Sequence, residues 1–98
     1  MLELYQAEWC PHSHRVRQRL TELGLDFVAH QVAPDPEQRD AMLAATGEQS
    51  IPTLVDGDRV VQGDDAILAH LDATYPEPAS AAAHREKDAE EGPHYRGG

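Results

Sequence analysis

Apolar and polar side chains alternate at the start of the chain and then change to a helical spacing. Residues 2–5 have the sequence Leu-Glu-Leu-Tyr, an alternation typical of a half-buried strand. Across residues 11–23, the apolar side chains of Val16, Leu20 and Leu23 recur at the i, i+4, i+7 spacing of one helix face. The pattern therefore predicts a strand that leads directly into a helix, with these three side chains on its buried face.

Strand and helix patterns continue to alternate as far as Pro76. The further elements predicted are strands over residues 26–32, 51–55 and 59–62, a helix over residues 36–46, and a helix that opens at Gly63-Asp64-Asp65. Asp-Gly between the last two strands is a strong hairpin signal. The order β-α-β-α-β-β-α predicts an α/β domain in which two parallel strands and an antiparallel hairpin form one four-stranded mixed sheet.

The end of the chain has a different character. Residues 77–98 carry almost no apolar bulk beyond alanine. Ser80 is a suitable N-cap for a short exposed helix through Glu91. Because such a segment has little to bury, we expect residues 1–76 to form the domain and residues 77–98 to be an acidic, mobile tail.

Length and charge narrow the class of protein. A chain of 98 residues is long enough for one domain with one modest core. Its net charge of −10 argues against nucleic acid and against anionic membrane surfaces, both of which call for basic patches. We find no apolar run long enough to span a bilayer and no leader with a cleavage site. We therefore expect a cytoplasmic monomer that is complete as given.

The only cysteine, Cys10, lies where the first strand ends and the first helix begins. Pro11 suits the first helical position, because its missing N–H would have no partner within the helix. Unpaired N–H groups and the positive end of the helix dipole would then point at the sulfur and favour the thiolate, which is the nucleophile. A single cysteine excludes an internal disulfide, so any redox chemistry needs an external thiol.

Three polar side chains follow Cys10 in the first turn of the predicted helix. Ser13 is one turn on and is suited to donate a hydrogen bond to the thiolate, but it is equally consistent with an ordinary first-turn serine. We expect His12 to be exposed to solvent. Because Cys10, His12 and His14 do not share one helix face, we expect no metal site here.

Three short motifs, in this order, resemble the glutaredoxins and the N-terminal, glutathione-binding domain of glutathione transferases. They are Cys10-Pro11-His12-Ser13, Ile51-Pro52 and Gly63-Asp64-Asp65, and the resemblance covers residues 1–76. It implies a thioredoxin-like, glutaredoxin-type fold. Ser13 stands where dithiol glutaredoxins have a second cysteine. Ala7-Glu8-Trp9 holds no lysine of the kind that many glutaredoxins place before the cysteine.

The resemblance implies a role for the first two motifs. Cys10 would be the nucleophile of thiol–disulfide exchange on mixed disulfides, and glutathione or a related small thiol would be the co-substrate that resets it. Pro52 would follow a cis bond that faces Cys10. The backbone of Ile51 would then pair with the cysteinyl part of glutathione, as a short added strand does.

The third motif would hold the other end of glutathione. Backbone N–H groups at the helix start formed by Gly63, Asp64 and Asp65 would bind the γ-glutamyl carboxylate, and the Asp65 carboxylate would take its ammonium group. The residues alone also allow a plain N-cap by Asp64, with Asp65 stabilising the helix dipole.

Few side chains are suited to bind the glycine carboxylate of glutathione. The candidates are Arg15, Gln38 and Arg39, since an arginine offers a two-pronged fork for a carboxylate. We interpret Arg17 and Arg19 as solvated charges on the outer face of the first helix.

These observations predict a monothiol, glutaredoxin-like oxidoreductase that reduces mixed disulfides with glutathione or a related small thiol and uses no metal. The alternative is a non-catalytic module that binds such a thiol, or a dimer in which two Cys10 side chains share an iron–sulfur cluster. A third interpretation is an interaction domain whose cysteine is unreactive.

Overall fold

The structure is a computed structural model that describes residues 1–93; residues 94–98, the end of the predicted tail, lie outside the described part. Its elements are β1 (Leu2–Gln6), α1 (Pro11–Leu23), β2 (Phe27–Gln31), α2 (Asp40–Thr46), β3 (Thr53–Asp56), β4 (Arg59–Gln62), α3 (Asp64–Thr74) and α4 (Ala81–Glu91). Up to the end of α3, this is the predicted order of strands and helices.

The four strands form one sheet in the order β2-β1-β3-β4. β1 runs parallel to β2, with Leu4 opposite Ala29, and antiparallel to β3, with Leu4 opposite Leu54. β3 and β4 form an antiparallel hairpin. The predicted four-stranded mixed sheet is therefore confirmed, with β1 and β3 as its inner strands and α1 as the crossover between the parallel strands.

The core lies between the sheet and helices α1 and α3. Its buried side chains come from alternate positions of the strands and from one face of each helix; they are Leu2, Leu4, Val16, Leu20, Leu23, Leu54, Val61, Ile67 and Leu71. The predicted buried face of the first helix is thus confirmed. Because α1 is attached to the sheet along this face, its N-terminus is held in a fixed place beside the end of β1.

The second predicted helix begins later than expected. Residues 36–38 form one 3-10 turn, and α2 starts only at Asp40. Arg39, between the two, has a non-helical backbone with φ −92° and ψ 57°. Its buried side chain donates to the carbonyl oxygens of Ala33, Pro34 and Gln49. These bonds tie the loop after β2 to the loop before β3, and they account for the break in the helix.

Helix α4 lies against α1. Ala81 is fully buried, and Gln18 Nε2 donates to the carbonyl oxygen of His84 at 3.2 Å. Arg85 Nη1 lies 3.1 Å from Glu22 Oε1. A helix was predicted here as an exposed one, whereas the described helix packs on the domain. The division into residues 1–76 and a mobile tail stays a prediction, and these contacts argue against its mobility.

Truncation after Pro76 is expected to lower the free energy of unfolding by about 2 kcal/mol, because the buried Glu22 side chain then loses Arg85 and the face of α1 beneath α4 is uncovered. Urea unfolding followed by circular dichroism measures this loss. The matched control is Lys87→Ala, which removes only an exposed pair with Glu91 and should leave the midpoint unchanged. An unchanged midpoint in the truncated chain would support the mobile tail.

The interpretation of Arg17 and Arg19 as solvated charges is wrong for both: the Arg17 side chain is 18% exposed and pairs with Glu8 at 3.1 Å, and Arg19 joins a larger cluster. The Arg19 side chain is 17% exposed and contacts Glu22 at 2.8 Å, Asp72 at 2.9 Å and Glu77 at 3.0 Å. Burial lowers the pKa of Arg19, but the hydrogen bonds to the three carboxylates outweigh it and raise the pKa above its ordinary value. The side chain therefore stays charged and joins α1, α3 and the segment before α4.

Asp56 joins the end of β3 to the end of α3. Its Oδ2 lies 2.9 Å from His70 Nε2 and accepts a hydrogen bond from the Tyr75 hydroxyl at 2.8 Å. The hydrogen bond with His70, together with that from Tyr75, holds the pKa of the Asp56 carboxyl below its ordinary value despite partial burial. The hydrogen bond to Asp56 raises the pKa of the Tyr75 hydroxyl above its ordinary value.

The Asp56 carboxylate makes the free energy of unfolding depend on pH in the acid range. Because the pKa of Asp56 is lower in the folded chain than its ordinary 3.8, its contribution is complete above pH 3.8 and is lost as the pH falls through the folded-state pKa. We expect Asp56→Asn to cost about 1 kcal/mol at neutral pH and to reduce the acid dependence. Urea unfolding at neutral and acid pH tests this, with Asp58→Asn in the exposed hairpin turn as the control. Equal acid dependence in Asp56→Asn and the native chain would contradict it.

Candidate functional site

Cys10 occupies the N-cap position of α1. Its backbone is extended, with φ −86° and ψ 115°, and its Sγ accepts a hydrogen bond from the Ser13 N–H at 3.4 Å. The sulfur thus takes the place of the oxygen that usually caps a helix. The side chain is 6% exposed and lies at the positive end of the helix dipole. The first turn of α1 therefore presents a backbone donor to the sulfur.

Ser13 contacts the sulfur through its main chain. The Ser13 N–H is the donor to Sγ, while its fully buried hydroxyl oxygen accepts from the Ala7 N–H at 3.5 Å. The hydroxyl therefore links the first turn of α1 to the loop after β1. The role of Ser13 in catalysis stays a prediction, and its described contact with Cys10 would be kept by any residue with a backbone N–H.

Pro52 is attached to the start of α3. The Ile51–Pro52 peptide bond is cis, and the Pro52 carbonyl oxygen accepts from the Gly63 N–H at 2.9 Å. Pro52 is buried and Ile51 is half-buried. The second and third motifs of the sequence, which are separated by the β3–β4 hairpin, are therefore in direct contact.

Helix α3 opens without a side-chain cap. Gly63 is the N-cap residue, with a φ of 96° that favours glycine, and Asp64 and Asp65 are the first helical residues. The alternative in which Asp64 is a plain N-cap is therefore wrong. The N–H groups of the first turn have no partner within the helix, and an anion would suit them.

The two aspartates of α3 make ion pairs with α1. Arg15 Nη1 lies 2.7 Å from Asp64 Oδ2 and 3.0 Å from Asp65 Oδ1. His12 Nδ1 lies 3.0 Å from the same Asp64 oxygen, although the histidine is exposed, as expected. Burial raises the pKa of Asp64, but the hydrogen bonds from His12 and Arg15 outweigh it and lower the pKa below its ordinary value. Asp64 is thus held as a carboxylate.

The structure therefore brings the three motifs together. Hydrogen bonds and ion pairs connect the helix that carries Cys10 to α3, and α3 to Pro52. Sequence reasoning treated Arg15 only as a candidate for the glycine carboxylate, and missed its contact with the aspartates. The sequence did hold a local signal that Arg15 and His12 could share a partner. Arg15 lies one turn after His12 and therefore on the same face of the helix.

The other candidates for the glycine carboxylate differ in their surroundings. Arg39 is 5% exposed and donates to three carbonyl oxygens. Gln38 is exposed in the 3-10 turn. Beside Cys10, the Trp9 side chain is 58% exposed, and the exposed Glu8 pairs with Arg17 at 3.1 Å. An exposed aromatic side chain and an ion-paired acidic side chain therefore precede Cys10 in the loop after β1.

Residues 1–93 contain neither a metal-binding cluster nor a membrane-spanning helix. No group of three histidine, cysteine or acidic side chains in this part of the chain is arranged to hold a metal ion. No helix among the same residues combines the length and apolar character needed to cross a membrane.

Comparisons with known proteins match this chain to glutathione S-transferases and glutaredoxins. Residues 4–79 match the family model of the glutathione S-transferase N-terminal domain. The chain is 38% identical over 79 residues to glutathione S-transferase Z2 of Arabidopsis thaliana, covering 79% of this chain and 35% of the relative. It is 33% identical over 69 residues to a probable glutaredoxin of Synechocystis, covering 69% of this chain and 78% of the relative.

Solved structures agree with the sequence comparisons. Rice GST1 in complex with glutathione matches with a TM-score of 0.66 at 26% identity, over 91% of this chain and 43% of the rice chain. This chain spans about a third of the length of the curated glutathione S-transferases that it matches. The predicted thioredoxin-like fold is confirmed, and the chain belongs to the glutathione S-transferase N-terminal domain family, whose fold it shares with the glutaredoxins.

Proposed function

We propose that this protein is a monothiol thiol–disulfide oxidoreductase that reduces mixed disulfides with glutathione or a related small thiol. The observation that carries the proposal is Cys10 at the N-cap of α1, with its Sγ accepting the Ser13 N–H. The similarity to glutaredoxins and glutathione S-transferases supports a thiol-related redox role. We propose the activity of the glutaredoxins rather than that of the transferases. This chain covers most of the length of the glutaredoxin relative but only about a third of the length of the transferases.

The reaction needs one cysteine. The Cys10 thiolate attacks the glutathione sulfur of a mixed disulfide; the target thiol leaves as a thiolate and takes a proton from solvent. A second glutathione thiolate then attacks the glutathione sulfur of the enzyme adduct and releases Cys10. In sum, one reduced glutathione is consumed: the target thiol is released, and the glutathione of the mixed disulfide leaves joined to the second glutathione as glutathione disulfide. Cys10, the only cysteine, is reset without a resolving partner.

Glutathione would lie across the three motifs. The backbone of Ile51, beside Pro52, would pair with its cysteinyl part and bring the sulfur to Cys10. The free N–H groups after Gly63 would take the γ-glutamyl carboxylate. Support for this arrangement comes from the Gly63–Pro52 hydrogen bond, which keeps the two binding segments at a constant separation.

The aspartates would complete the amino end of this site. Asp64 and Asp65 offer carboxylates at the same helix start, and an α-ammonium group is the natural partner of such a pair. Asp65 is the more accessible, with a side chain that is 91% exposed against 17% for Asp64. We assign the ammonium contact to Asp65 and a supporting role to Asp64.

Mass spectrometry of the intact protein tests the function. After incubation with oxidised glutathione, we expect one adduct on Cys10, and excess reduced glutathione should remove it. The native chain should form the adduct faster than a short peptide with the same residues 7–14, because only the folded chain has the helix N-terminus at the sulfur. An adduct that forms at the rate of the peptide, or that reduced glutathione does not remove, would contradict the proposal.

A further inference from the structure

Arg15 connects the two helix N-termini of the candidate site. One guanidinium nitrogen, Nη1, donates to Asp64 at 2.7 Å and to Asp65 at 3.0 Å. Arg15 lies on α1, the helix that Cys10 caps, whereas the aspartates are the first two residues of α3. A single side chain of α1 therefore bonds to both carboxylates of α3.

Neither aspartate is fixed by packing alone. The Asp65 side chain is 91% exposed, and within residues 1–93 Arg15 is its only ion-pair partner. Asp64 has a second partner in His12, on the same oxygen that Arg15 contacts. Adjacent carboxylates repel each other, and an exposed aspartate samples several side-chain rotamers. Without Arg15, both effects would spread the positions of the two carboxylates.

We propose that Arg15 is a positioning residue that holds Asp64 and Asp65 in the orientation that binds the amino end of the thiol co-substrate. The inference rests on the proposed function and assigns Arg15 to the aspartates rather than to the glycine carboxylate. Arg15 acts through the aspartates and so on the binding of the co-substrate, not on the chemistry at Cys10. Its removal should therefore change KM and leave kcat almost unaltered.

Steady-state kinetics with varied glutathione test this division. We expect Arg15→Ala to raise the KM for glutathione about fivefold, with kcat changed less than about twofold, because an exposed ion pair is worth little to the fold but orients the binding groups. Arg15→Lys keeps the charge without the fork and should give an intermediate KM. Arg59→Ala removes the same charge from an exposed position of β4 and should behave as the native chain.

A mutant cycle shows whether Arg15 acts through the aspartates. In an Asp64→Asn/Asp65→Asn background, Arg15→Ala should raise KM no further, since the groups that it positions are already gone. A further increase of the same factor would mean that Arg15 contacts the co-substrate directly, and would overturn the proposal. Unfolding midpoints that fall together with KM in the series would also overturn it, because the residue would then act on the fold.

Titration of Asp64 separates this inference from the proposed function. Arg15→Ala should raise the pKa of the Asp64 carboxyl, measured by NMR, because a hydrogen-bonded cation is lost. An unchanged Asp64 titration overturns the positioning role whether or not the chain exchanges with glutathione. A native chain that exchanges with glutathione, combined with an unchanged KM in Arg15→Ala, overturns the positioning role and leaves the proposed function standing.

Discussion

Cys10→Ser is expected to abolish exchange with glutathione and to lower turnover of a peptide–glutathione mixed disulfide by at least about a thousandfold. The thiolate is the attacking group in disulfide exchange, and a serine hydroxyl is neither ionised at neutral pH nor reactive towards a disulfide sulfur. Because Cys10 is the only cysteine, no other side chain can take over the reaction. Intact mass and turnover with reduced glutathione measure the loss.

The substitution should not damage the fold. Residue 10 is the N-cap of α1, and serine is among the best N-cap residues, because its oxygen accepts the N–H that the sulfur accepts now. We therefore expect the unfolding midpoint of Cys10→Ser to equal or exceed that of the native chain. This separates lost chemistry from lost structure in one variant.

Ser13→Ala is the matched control for Cys10→Ser. It removes the hydroxyl bond with Ala7 but keeps the backbone N–H that reaches Sγ, so most of the turnover should remain. Turnover lost equally in Ser13→Ala would show that the hydroxyl takes part in the reaction. Residual turnover in Cys10→Ser near that of the native chain would contradict the proposed function.

Arg19→Ala is expected to have the largest effect on stability, lowering the free energy of unfolding by about 3 kcal/mol. The guanidinium contacts Glu22, Asp72 and Glu77, and the Glu22 side chain is only 8% exposed. Removing the cation leaves a mostly buried carboxylate whose remaining partners are Arg85 and the Gln18 amide, and brings three carboxylates together without the charge that separates them.

Urea unfolding of a small series measures this effect and its cause. Arg19→Met/Glu22→Leu replaces the buried pair with apolar side chains of similar size, and should recover most of the stability lost in Arg19→Ala. Arg59→Ala, which removes an exposed cation, should cost less than about 0.5 kcal/mol. If Arg19→Ala costs no more than Arg59→Ala, the cluster around Glu22 does not stabilise the fold.

Much of the fold followed from local patterns. The spacing of Val16, Leu20 and Leu23 predicted the buried face of α1, because a helix with one apolar stripe has only one way to face a sheet. The Asp-Gly turn predicted the β3–β4 hairpin for a similar reason, since its backbone geometry suits strands that lie side by side. Both signals depend on residues close together in the chain.

The failures came where contacts join distant residues. Arg19 was interpreted as a solvated charge because its own helix turn offers no reason for burial, yet its partners Asp72 and Glu77 lie far along the chain. The break before α2 has the same origin, since Arg39 bonds the carbonyl oxygens of two loops. The periodicity of one segment holds no information on which other segment will cover it.

For the candidate site, the position of Cys10 was predictable, whereas the ion pairs between α1 and α3 were not. A cysteine between a strand and Pro11 predicted a helix N-terminus with backbone N–H groups at the sulfur, and the Ser13 N–H is such a donor. The resemblance of three motifs predicted which residues would meet. The Arg15 contact was missed, because it crosses to another helix.

The sequence by itself determined the order of elements through α3, the buried face of α1 and the place of the single cysteine between a strand and a helix, because each depends on short-range periodicity or on a single residue type. Only the tertiary structure decided that α4 packs on α1, that Asp56 joins the end of β3 to the end of α3, and that Arg15 connects the two helix N-termini. Charged side chains pair according to which surfaces meet, and those surfaces exist only after the apolar faces have packed.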